Sequence, residues 1–131
     1  MRQVRSVFLV EDDPDDQHAF TEAVTGISDD IILSVASNGK EALELLSSSI
    51  IKPDIIFSDI NMPVMDGFIF LKTVKETEEL REIPVVILTT SANSIHHTIA
   101  LKLGAEQLFV KPSSFLALGE IISETIALYA K

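Results

Sequence analysis

Four short apolar runs end on groups that can do chemistry. Glu11, Asp12 and Asp13 follow RSVFLV, Asp59 closes DIIFSD, Thr89 closes all but the last residue of PVVILTT, and Lys111 ends QLFVK ahead of Pro112. Taken singly, each has an ordinary reading. EDDPDD is what a helix N-terminus favours through its dipole, Asp59 can open an Asx turn, Thr89 is a common strand residue and Lys111 a common surface lysine. Their shared position argues for more. If the runs are neighbouring strands pointing the same way, acids, a hydroxyl and an ammonium converge in one crevice. Two carboxylates about 4 Å apart repel by roughly 4 kcal/mol at an effective dielectric near 20, so such a cluster must share a cation or shift its pKa values. A donor set made only of oxygen suits a hard ion such as Mg²⁺. A carboxylate kept ionised beside that ion can act as a nucleophile. Together with an ammonium and a hydroxyl, these are the parts of phosphoryl transfer, and the product at Asp59 would be an aspartyl phosphate.

The elements that must position these groups are legible as an alternation. Strand-like runs occur at residues 5–10, 31–36, 54–59, 84–90 and 107–112. Helical spacing fills the gaps. Pro14 stands at a first helical position, with Ala19, Phe20, Ala23, Val24 and Ile27 on one face. Asn38 and Glu41 form a capping-box pattern before Ala42, Leu43, Leu45 and Leu46. A third helix starts near Asp66 and uses Phe68, Leu71 and Val74; a fourth starts near Asn93 or Ser94 and stops at Gly104. The last runs from about Ser114 to the chain end, with Phe115, Leu118, Ile121, Ile122 and Ile126 inward. Five strands alternating with five helices predict an α/β fold: a five-stranded parallel sheet flanked on both faces, in the flavodoxin-like order 2-1-3-4-5. In that order a ligand site lies beyond the carboxyl ends of the strands, between strands 1 and 3. Those are the ends that carry Glu11, Asp12 and Asp59.

Composition narrows the function. The 131 residues suffice for one domain spanning 1–131, and no linker or repeat divides them. A formal charge of −10, with ten Lys and Arg against twenty Asp and Glu, argues against nucleic acid as a direct ligand. No cysteine is available for disulfides or thiolate metal sites. No run reaches the roughly 18 apolar residues of a membrane span, and no cleavable leader pattern is present, so membrane insertion is not expected and a cytoplasmic location is. His96 and His97 lack partner ligands at metal spacing and are expected at the surface.

The segments LVEDDP (9–14), DIIFSDINMPVMDG (54–67), IPVVILTTSAN (83–93) and GAEQLFVKP (104–112) together resemble a response-regulator receiver domain of bacterial two-component signalling. The resemblance covers nearly the whole chain and is of the stand-alone, chemotaxis-regulator type. It implies that Asp59 is the phosphoacceptor and that Asp12 and Asp59 bind Mg²⁺ directly, with Glu11 acting through a water and Asn61 through its backbone carbonyl. Thr89 matches the switch hydroxyl and Lys111 the lysine that contacts the phosphoryl group; the Lys111–Pro112 peptide is implied to be cis. Leu108 departs from the pattern, because an aromatic residue is usual at that position. The implied donor is a sensor histidine kinase or a phosphotransfer protein. With no output domain in the chain, the signal would pass in trans to a protein target, or to a homodimer, through the face of the fourth helix, fifth strand and fifth helix. Self-phosphorylation from a donor and self-dephosphorylation would be its only chemistry, so it is not expected to be an enzyme in the usual sense.

Three rival readings share parts of this pattern. A flavodoxin-like electron carrier needs a first loop that cradles phosphate, which EDDPDD would repel. A haloacid-dehalogenase-like phosphatase needs a second Asp two residues after the nucleophile, where this chain has Asn61. A binding module with the receiver fold but no phosphorylation would not need Glu11, Asp12, Asp59, Thr89 and Lys111 all in place.

Overall fold

The computed structural model describes residues 4–49 and 52–129. Five strands, β1 (Ser6–Val10), β2 (Ile32–Ala36), β3 (Ile55–Ser58), β4 (Val85–Thr89) and β5 (Gln107–Val110), alternate with five helices. The helices are α1 (Pro14–Ile27), α2 (Gly39–Ser48), α3 (Gly67–Glu76), α4 (Ser94–Lys102) and α5 (Phe115–Leu128). All strand pairs are parallel, in the order β2-β1-β3-β4-β5. The expected continuation of α5 through residues 130–131 lies outside the described residues.

Strand alternation divides the core in two. Phe8, Val10, Ile56, Val85 and Ile87 face Ala42, Leu46, Phe70, Leu71, Val74 and Ala100 from α2, α3 and α4. Val7, Leu9, Ile55, Phe57, Val86 and Leu88 face Phe20, Ala23, Val24, Ile122 and Ile126 from α1 and α5. Covering on both faces is why the β1, β3 and β4 runs are apolar at almost every position. Phe20 meets Phe57 edge to face, with ring centroids 5.1 Å apart, and so fixes α1 over β3.

Every helix starts on a side-chain cap: Asp13, Asn38, Asp66, Asn93 and Ser114 each accept from a backbone N–H in the first turn. Each such cap contributes about 1 kcal/mol. The pattern at α2 is a variant of the expected capping box, since the Glu41 carboxylate accepts from the Ser37 N–H, one residue before the cap. At the end of α4, Ala105 N–H bonds to Ala100 O and Gly104 N–H to Leu101 O, a Schellman closure that requires the positive φ of Gly104, 109°.

Two expectations need correction. Phe115 is 55% exposed, because the first turn of α5 overhangs the strand ends and places the ring at the wall of a cavity beside Lys111. No cis peptide occurs among the described residues, so the Lys111–Pro112 bond is trans, the form that X–Pro bonds favour by about 0.5–1 kcal/mol.

Gly67 brings the start of α3 against the end of β3. Its N–H bonds to Ile60 O at 2.7 Å. A Cβ at this position would lie 2.0 Å from Asp59 O and 2.7 Å from Ile60 Cα, both backbone atoms. Gly26, in the last turn of α1, has nothing within 4 Å of the same imagined atom. Gly67→Ala should therefore destabilise the fold by at least about 2 kcal/mol through forced backbone displacement. Gly26→Ala should stabilise it by about 0.5–1 kcal/mol through helix propensity. Denaturant midpoints of the two variants check the pair, and equal shifts would contradict the close approach at Gly67.

Candidate functional site

The parallel ladder runs one residue past the strands and pins three site residues by their backbones. Glu11 N–H bonds to Ala36 O at 2.9 Å, Asp59 N–H to Val10 O at 3.1 Å, and Lys111 N–H to Thr89 O at 2.7 Å. The side chains of Glu11, Asp59 and Lys111 are thereby delivered to one point at the carboxyl edge of the sheet. The Lys111 ammonium lies 2.6 Å from Glu11 Oε1, 2.8 Å from Asp16 Oδ2 and 3.2 Å from Asp59 Oδ2. An ammonium has three N–H donors, and all three are used here.

Glu11 and Asp59 are buried, at 3% and 6% exposure, while Asp12 is exposed. Burial pushes the Glu11 carboxyl above its usual range; its bond from Lys111 and the Asp13 N–H at 3.1 Å oppose that only in part. For Lys111, burial alone would lower the pKa. Hydrogen bonds to Asp16 and Glu11, with the charges of Asp59 and Glu11, outweigh it and hold the ammonium well above its usual range. Lys111 is therefore charged throughout the neutral range. Asp59 Oδ1 accepts from the Ile60 N–H at 2.6 Å, so both carboxylate oxygens have a donor.

Carboxylate oxygens of Glu11, Asp12 and Asp59 lie within 4.8 Å of one another. With Asp16 added, the site holds four acids, three of them in contact with its one ammonium. That excess of negative charge, presented by oxygen alone and open at Asp12, fits a hard divalent cation. Asn61 lies two residues past Asp59 and is exposed in the β3–α3 loop. In that loop Val64 has φ 69°, and Met65 N–H bonds to Pro63 O at 2.7 Å, a tight three-residue turn.

Thr89 is fully buried at the end of β4, but its hydroxyl accepts from the Ser91 N–H at 3.2 Å instead of reaching Asp59. Ser91 in turn ties to α4: its Oγ lies 2.7 Å from His96 Nδ1, and its carbonyl accepts from His97 Nε2 at 3.2 Å. The two histidines, expected at the surface, are half-buried, and His96 packs edge to face on Phe68 with ring centroids 5.6 Å apart. Leu108 is half-buried against the α2–α3–α4 side of the core, opposite the side that Phe109 contacts.

Asp16 is the residue that spacing of motifs missed. A signal for it exists: Asp16 precedes Phe20, Ala23 and Ile27 by four, seven and eleven residues and so shares their inward face of α1. An acid on the apolar face of a helix requires a partner, and Lys111 is that partner.

The response regulator receiver domain family matches residues 7–123. The chain belongs to this family, whose members act in two-component signalling. It is 32% identical over 120 residues to the protein-glutamate methylesterase/protein-glutamine glutaminase of Methanococcoides burtonii, a match that takes in 90% of this chain and 33% of that protein. The chain thus spans about a third of the length of that relative. Among solved structures it is similar to the phosphorylated cyanobacterial phytochrome response regulator RcpA, with TM-score 0.89, 27% identity and coverage of 96% of this chain and 94% of the other. The Mn²⁺-bound response regulator Rcp1 gives TM-score 0.85 and 25% identity, with 97% and 95% covered. Receiver domains bind Mg²⁺ or Mn²⁺ at an acidic pocket, and Glu11, Asp12 and Asp59 form such a pocket here. They also interact with histidine kinases or phosphotransfer proteins. No helix among the described residues is long and apolar enough to cross a membrane.

The shifts at Glu11 and Lys111 set a pH dependence. Glu11 contributes stability that is full below its ordinary value of 4.5 and is lost as pH rises through its higher folded value. Lys111 contributes stability that is full below 10.5 and survives until pH passes its higher folded value. Lys111→Ala, measured without divalent ions, should cost about 2–4 kcal/mol at neutral pH, because it leaves buried carboxylates unpaired. The deficit should shrink as pH falls toward 4.5 and Glu11 takes up a proton. Thermal midpoints of both proteins across pH 4 to 8 check this; a pH-independent difference would contradict it.

Proposed function

We propose that the chain is a response regulator that accepts a phosphoryl group on Asp59 from the phosphohistidine of a sensor kinase or phosphotransfer protein, in a Mg²⁺-dependent reaction, and signals to a protein partner in trans. The observation that carries this reading is the convergence of Glu11, Asp59 and Lys111 within hydrogen-bond distance at the carboxyl edge of the sheet. An Asp59 oxygen forms the bond to phosphorus while the donor's P–N bond breaks, and the leaving imidazole keeps the bonding pair. Lys111 exchanges its longest contact, the 3.2 Å bond to Asp59, for a phosphoryl oxygen. Asp12 and Asp59, with Glu11 through a water and the Asn61 carbonyl, are the residues that would hold Mg²⁺. That ion would supply charge neutralisation of the transferred oxygens.

Thr89 is the group we assign to reading the phosphoryl state. Among the described residues its hydroxyl has one partner, the Ser91 N–H, which it would give up on turning toward Asp59. Ser91 is bonded to both His96 and His97, so the change would reach α4 without an aromatic residue at 108. Exposed Ile95, Ile99, Val110 and Leu116 along α4, β5 and α5 support that face as the one that meets the partner or a second copy.

A small phosphodonor with Mg²⁺ should add one acid-labile phosphoryl group to the wild type and none to Asp59→Asn, as intact mass can show. Thr89→Ala should still be phosphorylated but lose the phosphodonor-induced change in partner binding or self-association. Equal phosphorylation of Asp59→Asn would overturn the assignment of Asp59.

A further inference from the structure

We propose that Asp16 is a positioning residue for phosphoryl transfer, holding the Lys111 ammonium from α1 so that its remaining N–H stays directed at Asp59. This rests on the reading of Asp59 as phosphoacceptor. Lys111 carries a side chain with about 2 kcal/mol of rotamer freedom, so an ammonium aimed at one oxygen has to be restrained. Two carboxylates supply the restraint from different elements. Glu11, at the end of β1, gives Oε1 to Lys111 while its Oε2 accepts from the Asp13 N–H at 3.1 Å. Asp16, in the first turn of α1, gives Oδ2 to Lys111 at 2.8 Å, and its own N–H is fixed by the Asp13 carboxylate at 3.1 Å.

The two restraints are not equivalent. Glu11 belongs to the acid cluster that fits a divalent cation, whereas Asp16 stands outside it. Glu11 is thus shared between two duties, whereas among the described residues the Asp16 carboxylate serves Lys111 alone. Its side chain is 44% exposed, so it holds the lysine without the desolvation that burdens Glu11. The long Asp59 contact is then the one free to be exchanged for a phosphoryl oxygen.

An acid in the first turn of a helix is also favoured by the dipole, and a role confined to that would move the thermal midpoint and leave the rate of transfer alone. Phosphorylation by a small phosphodonor, followed by intact mass at saturating Mg²⁺, separates the two. Asp16→Asn should lower the maximal rate about tenfold with little change in donor KM, less than the roughly hundredfold loss that a 1 Å misplacement can cause because Glu11 still holds the lysine, and Asp16→Glu should restore most of it. Thermal midpoints of both variants should stay close to that of the wild type. Carbon-13 relaxation of Lys111 Cε, which needs no phosphoryl transfer, should show greater mobility in Asp16→Asn and a return in Asp16→Glu. An unchanged or faster rate in Asp16→Asn, a loss that Asp16→Glu shares, or an unchanged Lys111 mobility would each overturn the proposal. A wild type that gains no phosphate would instead refute the reading of Asp59, with the relaxation measurement still deciding the hold on Lys111.

Discussion

A single ammonium set among four acids is the constraint around which this molecule is arranged. Lys111 touches Glu11, Asp16 and Asp59, and Asp12 stands beside them at the open edge. Such a group of like charges is stable only while its geometry is held, because three of the four carboxylates share the same lysine. The sheet provides that hold. Ladder bonds that continue past the strands fix Glu11, Asp59 and Lys111 by their backbones, so the relative positions of the side chains follow from the register of β1, β3, β4 and β5. Gly67 then lets α3 begin directly against Asp59, where a side chain would have pushed the strand end away.

The same edge of the sheet connects the charged cluster to the rest of the surface. Thr89 is buried next to the Lys111 backbone, and its hydroxyl bond to Ser91 leads into the β4–α4 loop. Ser91 is gripped from α4 by His96 and His97, and His96 rests on Phe68 of α3. Leu108 packs on the α3–α4 side and contributes shape but no polar contact. A chain without an aromatic ring at 108 therefore still has a continuous set of hydrogen bonds from the strand end to α4.

Much of this was legible in the sequence, for physical reasons that differ by element. Buried parallel strands need apolar residues at nearly every position, which is why the runs of β1, β3 and β4 could be placed to within a residue or two. Pro14 announced the start of α1, since proline at a first position has no N–H to leave unpaired, and Asn38, Asp66, Asn93 and Ser114 announced the others, because unpaired N–H groups there require a side-chain acceptor. Glu11, Asp59 and Lys111 were found by their shared place at strand ends. What spacing did not show was contact between elements far apart in the chain. Asp16 meets Lys111 across 95 residues, and the exposure of Phe115 depends on how far α5 overhangs the sheet. The histidines were missed for a similar reason: their partner, Ser91, lies in a loop whose path only the folded chain defines.

The uncompensated negative charge of Glu11, Asp12 and Asp59 at the strand ends fits a divalent cation. Calorimetric titration of Mg²⁺ into the wild type and into Asp12→Asn tests it most directly, since Asp12 is exposed and its loss should leave the fold intact. One Mg²⁺ should bind per chain, with affinity at least about tenfold weaker in Asp12→Asn, as expected when one charged oxygen ligand is removed from a hard-cation site. No saturable binding to the wild type, or equal affinity in the two proteins, would contradict it.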